Sequence, residues 1–324
     1  MEDMERAELC NNETQICENA SLQHISLSLN IFTILVNILH IILMGKIAKC
    51  KQTTYYWILI NMSLADIITS VTYSVLASCS LKQIAYESSK SVAEYFLRTR
   101  AAVTLATTAV RNFVLAVASY ERYVKICLPL TAEDKLLCHL GWVMAAVWAA
   151  CYGVSLPVFL TDLDDVCYGD FTMAGILNLQ SIIVSIILLT VPAGITFVCL
   201  FKVGRELKQM MGKHDIPGFN SEAHTAGRYI ILICLLFYSS YTPSILAIAL
   251  NYSDHVSNDT VGALNWASFL VQSLYGTLNI VIYVYMTRGY RMHVLTILSN
   301  WFKCFNGCHS SMNSVTPSVT KIST

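Results

Sequence analysis

A chain of 324 residues that is 55% hydrophobic, 13% charged and of zero formal net charge is too apolar for an ordinary soluble domain. Its apolar residues come in runs of about twenty, enough to cross ~30 Å of hydrocarbon. The neutral balance gives no general attraction to nucleic acid. The expected fold is an all-α membrane protein: a seven-transmembrane helix bundle with spans at 22–45, 54–79, 94–123, 137–161, 173–201, 229–250 and 261–286.

In chain order, residues 1–21 are polar and acidic, with Glu2, Asp3, Glu5, Glu8, Glu13 and Glu18. They carry neither a basic n-region nor a small-residue cleavage site, so a cleaved signal peptide is not expected. They read as an extracellular, glycosylated N-terminus ahead of a seven-transmembrane domain over 22–286. Sequons begin at Asn12, Asn19, Asn251 and Asn258, all on the side that the N-terminus occupies. Asn61-Met62-Ser63 also matches but sits inside the second span and is expected to stay unmodified.

The basic residues set the orientation. Counted with the N-terminus outside, fifteen fall on inner segments, among them Lys46, Arg122, Lys202, Arg205, Arg228 and Arg288. Three fall outside: Arg6, Lys82 and Lys90. The positive-inside rule therefore predicts an extracellular N-terminus. Outer acids continue after the fourth span with Asp162, Asp164, Asp165 and Asp170.

The third span carries the chemistry. Arg100, Thr104, Thr108 and Arg111 follow i, i+4, i+8 and i+11, one inward face of a helix. An arginine in mid-span costs about 2.5–3.5 kcal/mol on insertion scales, so Arg111 is expected to face the bundle and have a partner. Eleven residues later comes Glu121-Arg122-Tyr123, ~17 Å along the helix. An acid beside an arginine at a membrane boundary can lock a helix releasably, or it can simply anchor the boundary. Asp66, eleven residues into the second span, lies at the depth of Arg111, and the expectation is a guanidinium–carboxylate pair with Asn279 and Asn37 nearby. The alternative is that Arg111 only satisfies backbone carbonyls.

The inner loop from Lys202 to Arg228 contains Gly212, Pro217 and Gly218 and reads as two helix extensions joined by a turn. After the seventh span, Tyr290, Val294, Leu295, Leu298, Trp301 and Phe302 recur at helical spacing. An amphipathic inner-surface helix is expected over 287–303. A Ser/Thr-rich cytoplasmic tail occupies 304–324, and Cys304 and Cys308 are palmitoylation candidates. Cys10, Cys17, Cys79 and Cys167 lie outside, where an oxidising compartment allows pairing. Cys127, Cys138, Cys151, Cys199 and Cys234 read as small core residues. No metal cluster, nucleophile–base set, phosphate loop or cofactor motif appears, so neither an enzyme nor a cofactor is expected.

Together these residues resemble the rhodopsin-like, class A G-protein-coupled receptors over nearly the whole chain. Asn37 resembles the helix-one asparagine, and Leu64-Ala65-Asp66 the helix-two motif. Trp148 with Pro157 matches helix four, Pro192 helix five and Pro243 the helix-six kink. Asn279-Ile280-Val281-Ile282-Tyr283 is an altered helix-seven Asn-Pro-x-x-Tyr. The run from Ser119 through Glu121-Arg122-Tyr123-Val124-Lys125-Ile126-Cys127 to Pro129-Leu130 is most similar to odorant receptors, particularly fish odorant-type receptors. Tyr241, where most of the family has tryptophan, fits that branch.

The resemblance implies a multi-pass plasma-membrane receptor that takes a small odorant-like ligand from outside. Inside, it implies a heterotrimeric G protein and arrestin as partners, within the lipid bilayer. Glu121, Arg122, Tyr123, Pro129, Leu130, Asn279 and Tyr283 would form the coupling switch. Arg100, Thr104, Thr108, Ser181, Ser185, Tyr241, Ser244, Phe269 and Gln272 would line the ligand site, with ordinary helix packing the alternative for each. Thr104 stands where amine receptors place an aspartate, which disfavours a monoamine. The family's sodium ion beside the helix-two aspartate would give way to Arg111. Its helix-three cysteine is replaced by Leu97, so Cys167 needs another partner: Cys79, or else Cys10 or Cys17. Leu200 replaces a helix-five tyrosine, and Ile280 the helix-seven proline. Two alternatives remain: a non-olfactory receptor for a peptide, lipid or small acid, and a small transporter or channel. Against the latter stand the missing repeat and the absence of paired broken helices.

Overall fold

The protein is described by a computed structural model covering residues 20–51, 54–77, 90–128, 139–160, 179–211, 221–251, 258–287, 290–296 and 299. Its helices are α1 (Ala20–Lys51), α2 (Thr54–Ala77), α3 (Lys90–Cys127), α4 (Leu140–Leu160), α5 (Leu179–Met211), α6 (Ser221–Asn251) and α7 (Asn258–Met286). A short helix, α8, follows over 290–296.

Several helices outrun the apolar stretches that announced them. α1 continues six residues past 45, α3 begins at Lys90 and ends at Cys127, and α5 reaches Met211. Hydropathy registers only the part of a helix inside hydrocarbon. The backbone ladder continues wherever water and charged side chains solvate its ends. The extensions of α5 and α6 flank 212–220, which lies outside the described residues.

α3, the longest helix at 38 residues, is the axis of the bundle and packs against α2, α4, α5 and α6. α1 lies against α2 and α7, and α7 closes the ring against α6. The distribution of residues is the reverse of a soluble protein's. Asp66, Asn37, Thr33, Ser63, Arg111 and Asn112 are buried, while Phe197, Phe201, Ile186, Leu35 and Trp142 are exposed. Exposed apolar surface on this scale suits a lipid surround, where backbone polar groups must be satisfied within helices.

Among the described residues, three helical stretches are long and apolar enough to cross a membrane unaided: His24–Lys46, Ala102–Cys127 and Ile183–Gln209. Polar residues recur along α2 and α6: Ser63, Asp66, Thr69 and Ser240 are buried and Asn61 half-buried, while Ser239 and Thr242 are exposed. A helix shielded by neighbours on one side need not be apolar all round. Asn61 illustrates the shielding, since its amide donates to Trp57 O at 2.9 Å and accepts from Trp148 Nε1 at 3.3 Å. Pro192 and Pro243 stand inside α5 and α6, each removing one ladder donor. Around Pro243 the hydroxyls of Ser239, Ser240 and Thr242 donate to the carbonyls of Leu236, Phe237 and Tyr238.

Candidate functional site

At the inner end of α3, Arg122 folds back on its neighbour. Its Nη2 donates to Glu121 Oε1 at 2.5 Å, and its Nε donates to Glu121 Oε2. Adjacent helical residues seldom face each other, and only a side chain as long as arginine's reaches back this way. The guanidinium carbon stands 4.3 Å from the centroid of the Tyr55 ring on α2. Thr54 Oγ1 donates to Glu121 Oε1 at 3.4 Å. Both charged residues are buried, so the pair is held by a fork of charge-assisted bonds with an aromatic lid. Tyr123 lies outside this lid, with Lys202 Nζ of α5 5.1 Å from its ring centroid.

The mid-membrane cluster begins eleven residues outward. Arg111 Nη2 lies 2.5 Å from Asp66 Oδ1, with side chains 4% and 2% exposed. The Tyr275 ring covers the guanidinium at 4.6 Å. Asn279 Nδ2 donates to Asp66 Oδ2 at 3.5 Å. The Asn37 amide donates to the carbonyls of Thr33 at 2.9 Å and Gly276 at 3.4 Å. It therefore grips the α7 backbone behind the ion pair rather than the pair itself. Gly276 permits this closeness, because a methyl there would lie 2.8 Å from Thr33 Cγ2 and 3.2 Å from Asp66 Cβ and Cγ. Asp66 can approach α7 only over a residue without a side chain.

Tyr283, expected in the switch, joins these two clusters together with Tyr55, Tyr229 and His40, which sequence reasoning missed. The Tyr283 ring stands 6.4 Å from Tyr55, 5.1 Å from Tyr229, 5.6 Å from His40 and 5.0 Å from Tyr290. Tyr229 OH donates to Asn279 Oδ1. A continuous chain of contacts thus runs from Arg122 through Tyr55, Tyr283, Tyr229 and Asn279 to Asp66 and Arg111, crossing α2, α3, α6 and α7. His40 Nδ1 and Tyr290 OH, 2.9 Å apart, tie α8 to α1. Burial pushes the Tyr290 phenol above its usual range, keeping it neutral. The one signal for these residues was the density of tyrosines, and aromatics near a membrane boundary read as interface anchors.

Toward the outer half, Thr104 and Thr108 are buried on the inward face of α3. Tyr241 OH donates to Thr108 Oγ1 at 3.3 Å. Gln272 Oε1 accepts from Tyr73 OH at 2.7 Å, and Gln272 Nε2 donates to Ser268 Oγ at 2.9 Å. Thr108 and Tyr241 thus join α3 to α6, and Tyr73 and Gln272 join α2 to α7. Ser185 is half-buried on α5. Asn112, also missed, donates to Leu189 O at 2.7 Å and accepts from Tyr238 OH at 2.8 Å, joining α3 to α5 and α6.

The side chains of Arg100, Ser181, Ser244 and Phe269 lie outside the described set, as do Pro129 and Leu130. So do Asn12, Asn19, Cys10, Cys17, Cys79, Cys167, Cys304 and Cys308. Asn251 ends α6 and Asn258 begins α7, but their side chains are not described. Cys127, Cys151, Cys199 and Cys234 are free thiols, and Cys234 Sγ lies 3.8 Å from Ser119 Oγ. A groove of about 500 Å³ is lined by Thr190, Val191, Gly194, Ile195, Val198 and Cys199 of α5. It opens on the outward side of α5, away from the expected ligand wall.

Comparison with known proteins gives a consistent result. Residues 36–283 match the family described as 7 transmembrane receptor (rhodopsin family). Over 141 residues the chain is 30% identical to olfactory receptor 1D2 of Pan troglodytes, covering 42% of this chain and 43% of that relative. It is 24% identical over 254 residues to the olfactory receptor-like protein OLF4 of Canis lupus familiaris, covering 72% and 78%. Against olfactory receptor 1082 of Rattus norvegicus it is 30% identical over 185 residues, covering 50% and 56%. The matched stretch thus spans less than half the length of the first of these relatives.

Proposed function

The chain belongs to the rhodopsin family of seven-transmembrane receptors, and from that premise we propose that it binds a small odorant-type ligand from outside and activates a heterotrimeric G protein. The observation that carries this is the buried Glu121–Arg122 fork at the inner end of α3, capped by Tyr55. A charge pair so placed has a use if it can open. Ligand binding shifts the population toward a state in which the inner ends of α5 and α6 move from α3, Arg122 leaves Glu121, and a crevice admits the G protein. Pro129 and Leu130 contact the same partner, and arrestin uses the same opened face afterwards.

The resemblance of three relatives named as olfactory receptors supports the odorant branch. The run from Ser119 to Leu130 supports its fish odorant-type group. The ligand sits against Thr104, Thr108, Tyr241, Gln272 and Tyr73, with Arg100, Ser181, Ser185, Ser244 and Phe269 on the surrounding wall. Hydroxyls and one amide among aromatic and aliphatic surfaces suit a mainly apolar molecule bearing an oxygen. Arg111 takes the place of a sodium ion beside Asp66. The N-terminus is extracellular and glycosylated, and Cys304 and Cys308 anchor the segment after α8 to the inner leaflet.

The test is a ligand screen in cells that report cAMP and calcium, using small acids, amines and apolar odorants. The reading predicts a G-protein response to an apolar oxygenated member of the panel. Ligand-evoked ion flux with no G-protein response would support a channel or transporter instead.

A further inference from the structure

One face of α5 is exposed along its whole inner half. Val191, Ile195, Val198, Lys202, Arg205 and Gln209 recur at helical spacing and are all exposed. The first three, with Gly194, line the groove of about 500 Å³. A methyl on Gly194 would meet nothing within 4 Å, so the groove is a notch where a side chain is missing, not a packing contact. Lys202 and Arg205 close its inner end. Glu206, the one acidic residue of α5, is half-buried beside Cys127 and turns toward α3.

We propose that this face binds an anionic phospholipid of the inner leaflet, its acyl chain in the Gly194 groove and its headgroup phosphate on Lys202 and Arg205. The depths agree. Lys202 reaches the ring of Tyr123 at 5.1 Å, which puts its ammonium at the membrane boundary where α3 ends. Val198 to Thr190 then lie four to twelve residues outward, ~6–18 Å at 1.5 Å per residue. That is about the hydrocarbon depth of one leaflet. The Tyr123 ring steadies the ammonium beside the helix pair by a cation–π contact, so the headgroup meets a placed charge. A second copy fits this face badly. Two chains related by a two-fold axis along the membrane normal would set Lys202 and Arg205 against the same residues of the other copy. The headgroup also gives the lipid a means to act on signalling, since it binds the same Lys202 that lies over Tyr123 of the Glu121-Arg122-Tyr123 triplet.

The choice of leaflet rests on the proposed receptor orientation, but the binding measurement uses neither ligand nor G protein. A failed odorant screen and a failed lipid test are therefore separate outcomes. The full chain is purified from nanodiscs of equimolar phosphatidylcholine and phosphatidylserine, and the retained lipid is read by native mass spectrometry. Phosphatidylserine should be enriched, and Lys202→Gln and Arg205→Gln should each lower that enrichment about five-fold. Gly194→Phe should displace the lipid with both charges intact. Lys208→Gln, off this face, should leave retention unchanged. Equal retention of the two lipids overturns the proposal, as does a loss in Lys208→Gln as large as in Lys202→Gln. Disulfide-linked dimers of Val198→Cys in the same discs would assign the face to a second copy and overturn it too.

Discussion

Arg111 and Asp66 form a fully desolvated pair that each residue needs for the other's sake. Removing one partner leaves a buried charge, a loss of about 3–5 kcal/mol, whereas replacing both with neutral residues can be nearly free. Arg111→Gln should therefore lower the thermal unfolding temperature of the purified protein sharply, and Arg111→Gln with Asp66→Asn should recover most of it. Equal stability of the single variant and the wild type would show that the pair carries no such weight. On the proposed reading the guanidinium takes the place of a cation, so sodium should leave wild-type signalling unchanged. In Arg111→Ser, sodium should lower ligand response. Both charged residues were legible in the sequence, because an ionisable group in mid-span is costly enough to demand a partner, and counting from span ends matched their depths. Tyr55, Tyr229 and Tyr283 were not legible as one chain of contacts. A tyrosine's partners lie on other helices, and nothing in its local spacing names them.

At its inner end α6 fits closely against α3 and α5. A methyl on Gly227 would stand 2.9 Å from Ile126 Cδ1, 3.2 Å from Leu207 Cδ1 and 3.6 Å from Val203 Cγ1. Those atoms are the ends of flexible side chains, so alanine can be absorbed, while a larger residue must push α6 away from α3 and α5. If about 1 kcal/mol of that strain is relieved by outward movement, the ratio of open to closed states rises about five-fold. Gly227→Leu is accordingly expected to raise ligand-free cAMP or calcium signalling in cells at matched surface expression. Unchanged basal signalling would mean that α6 does not move from this contact. The apolar spans marked where the helices run but not their ends. Lys90, Met211 and Ser221 lie beyond the apolar stretches, where hydropathy is silent and the backbone ladder decides. The glycine's role was equally hidden, since a glycine in a span reads the same whether or not another helix touches it.

Across the whole molecule, buried polar groups form a column from Gln272 and Thr108 past Arg111, Asp66 and Asn279 to Arg122, inside a wall whose outward residues are apolar. The topology was legible because lipid forces this arrangement on any helical bundle, and the basic residues then orient it. Deglycosylation should collapse the mass of the expressed chain by an amount that falls stepwise when Asn12, Asn19, Asn251 and Asn258 are replaced. A glycan-free chain at the cell surface would contradict the orientation. The ligand was not legible, because the proposed ligand wall draws on several helices, and several of its side chains are short hydroxyls compatible with many molecules. The central claim is that the Glu121–Arg122 fork is a releasable lock on G-protein activation. Its most direct measurement is guanine-nucleotide exchange by the purified receptor with a heterotrimeric G protein, without ligand, in wild type, Glu121→Gln and Arg122→Ala. The account predicts raised basal exchange in Glu121→Gln and none above background in Arg122→Ala. Wild-type exchange in both folded variants would contradict it.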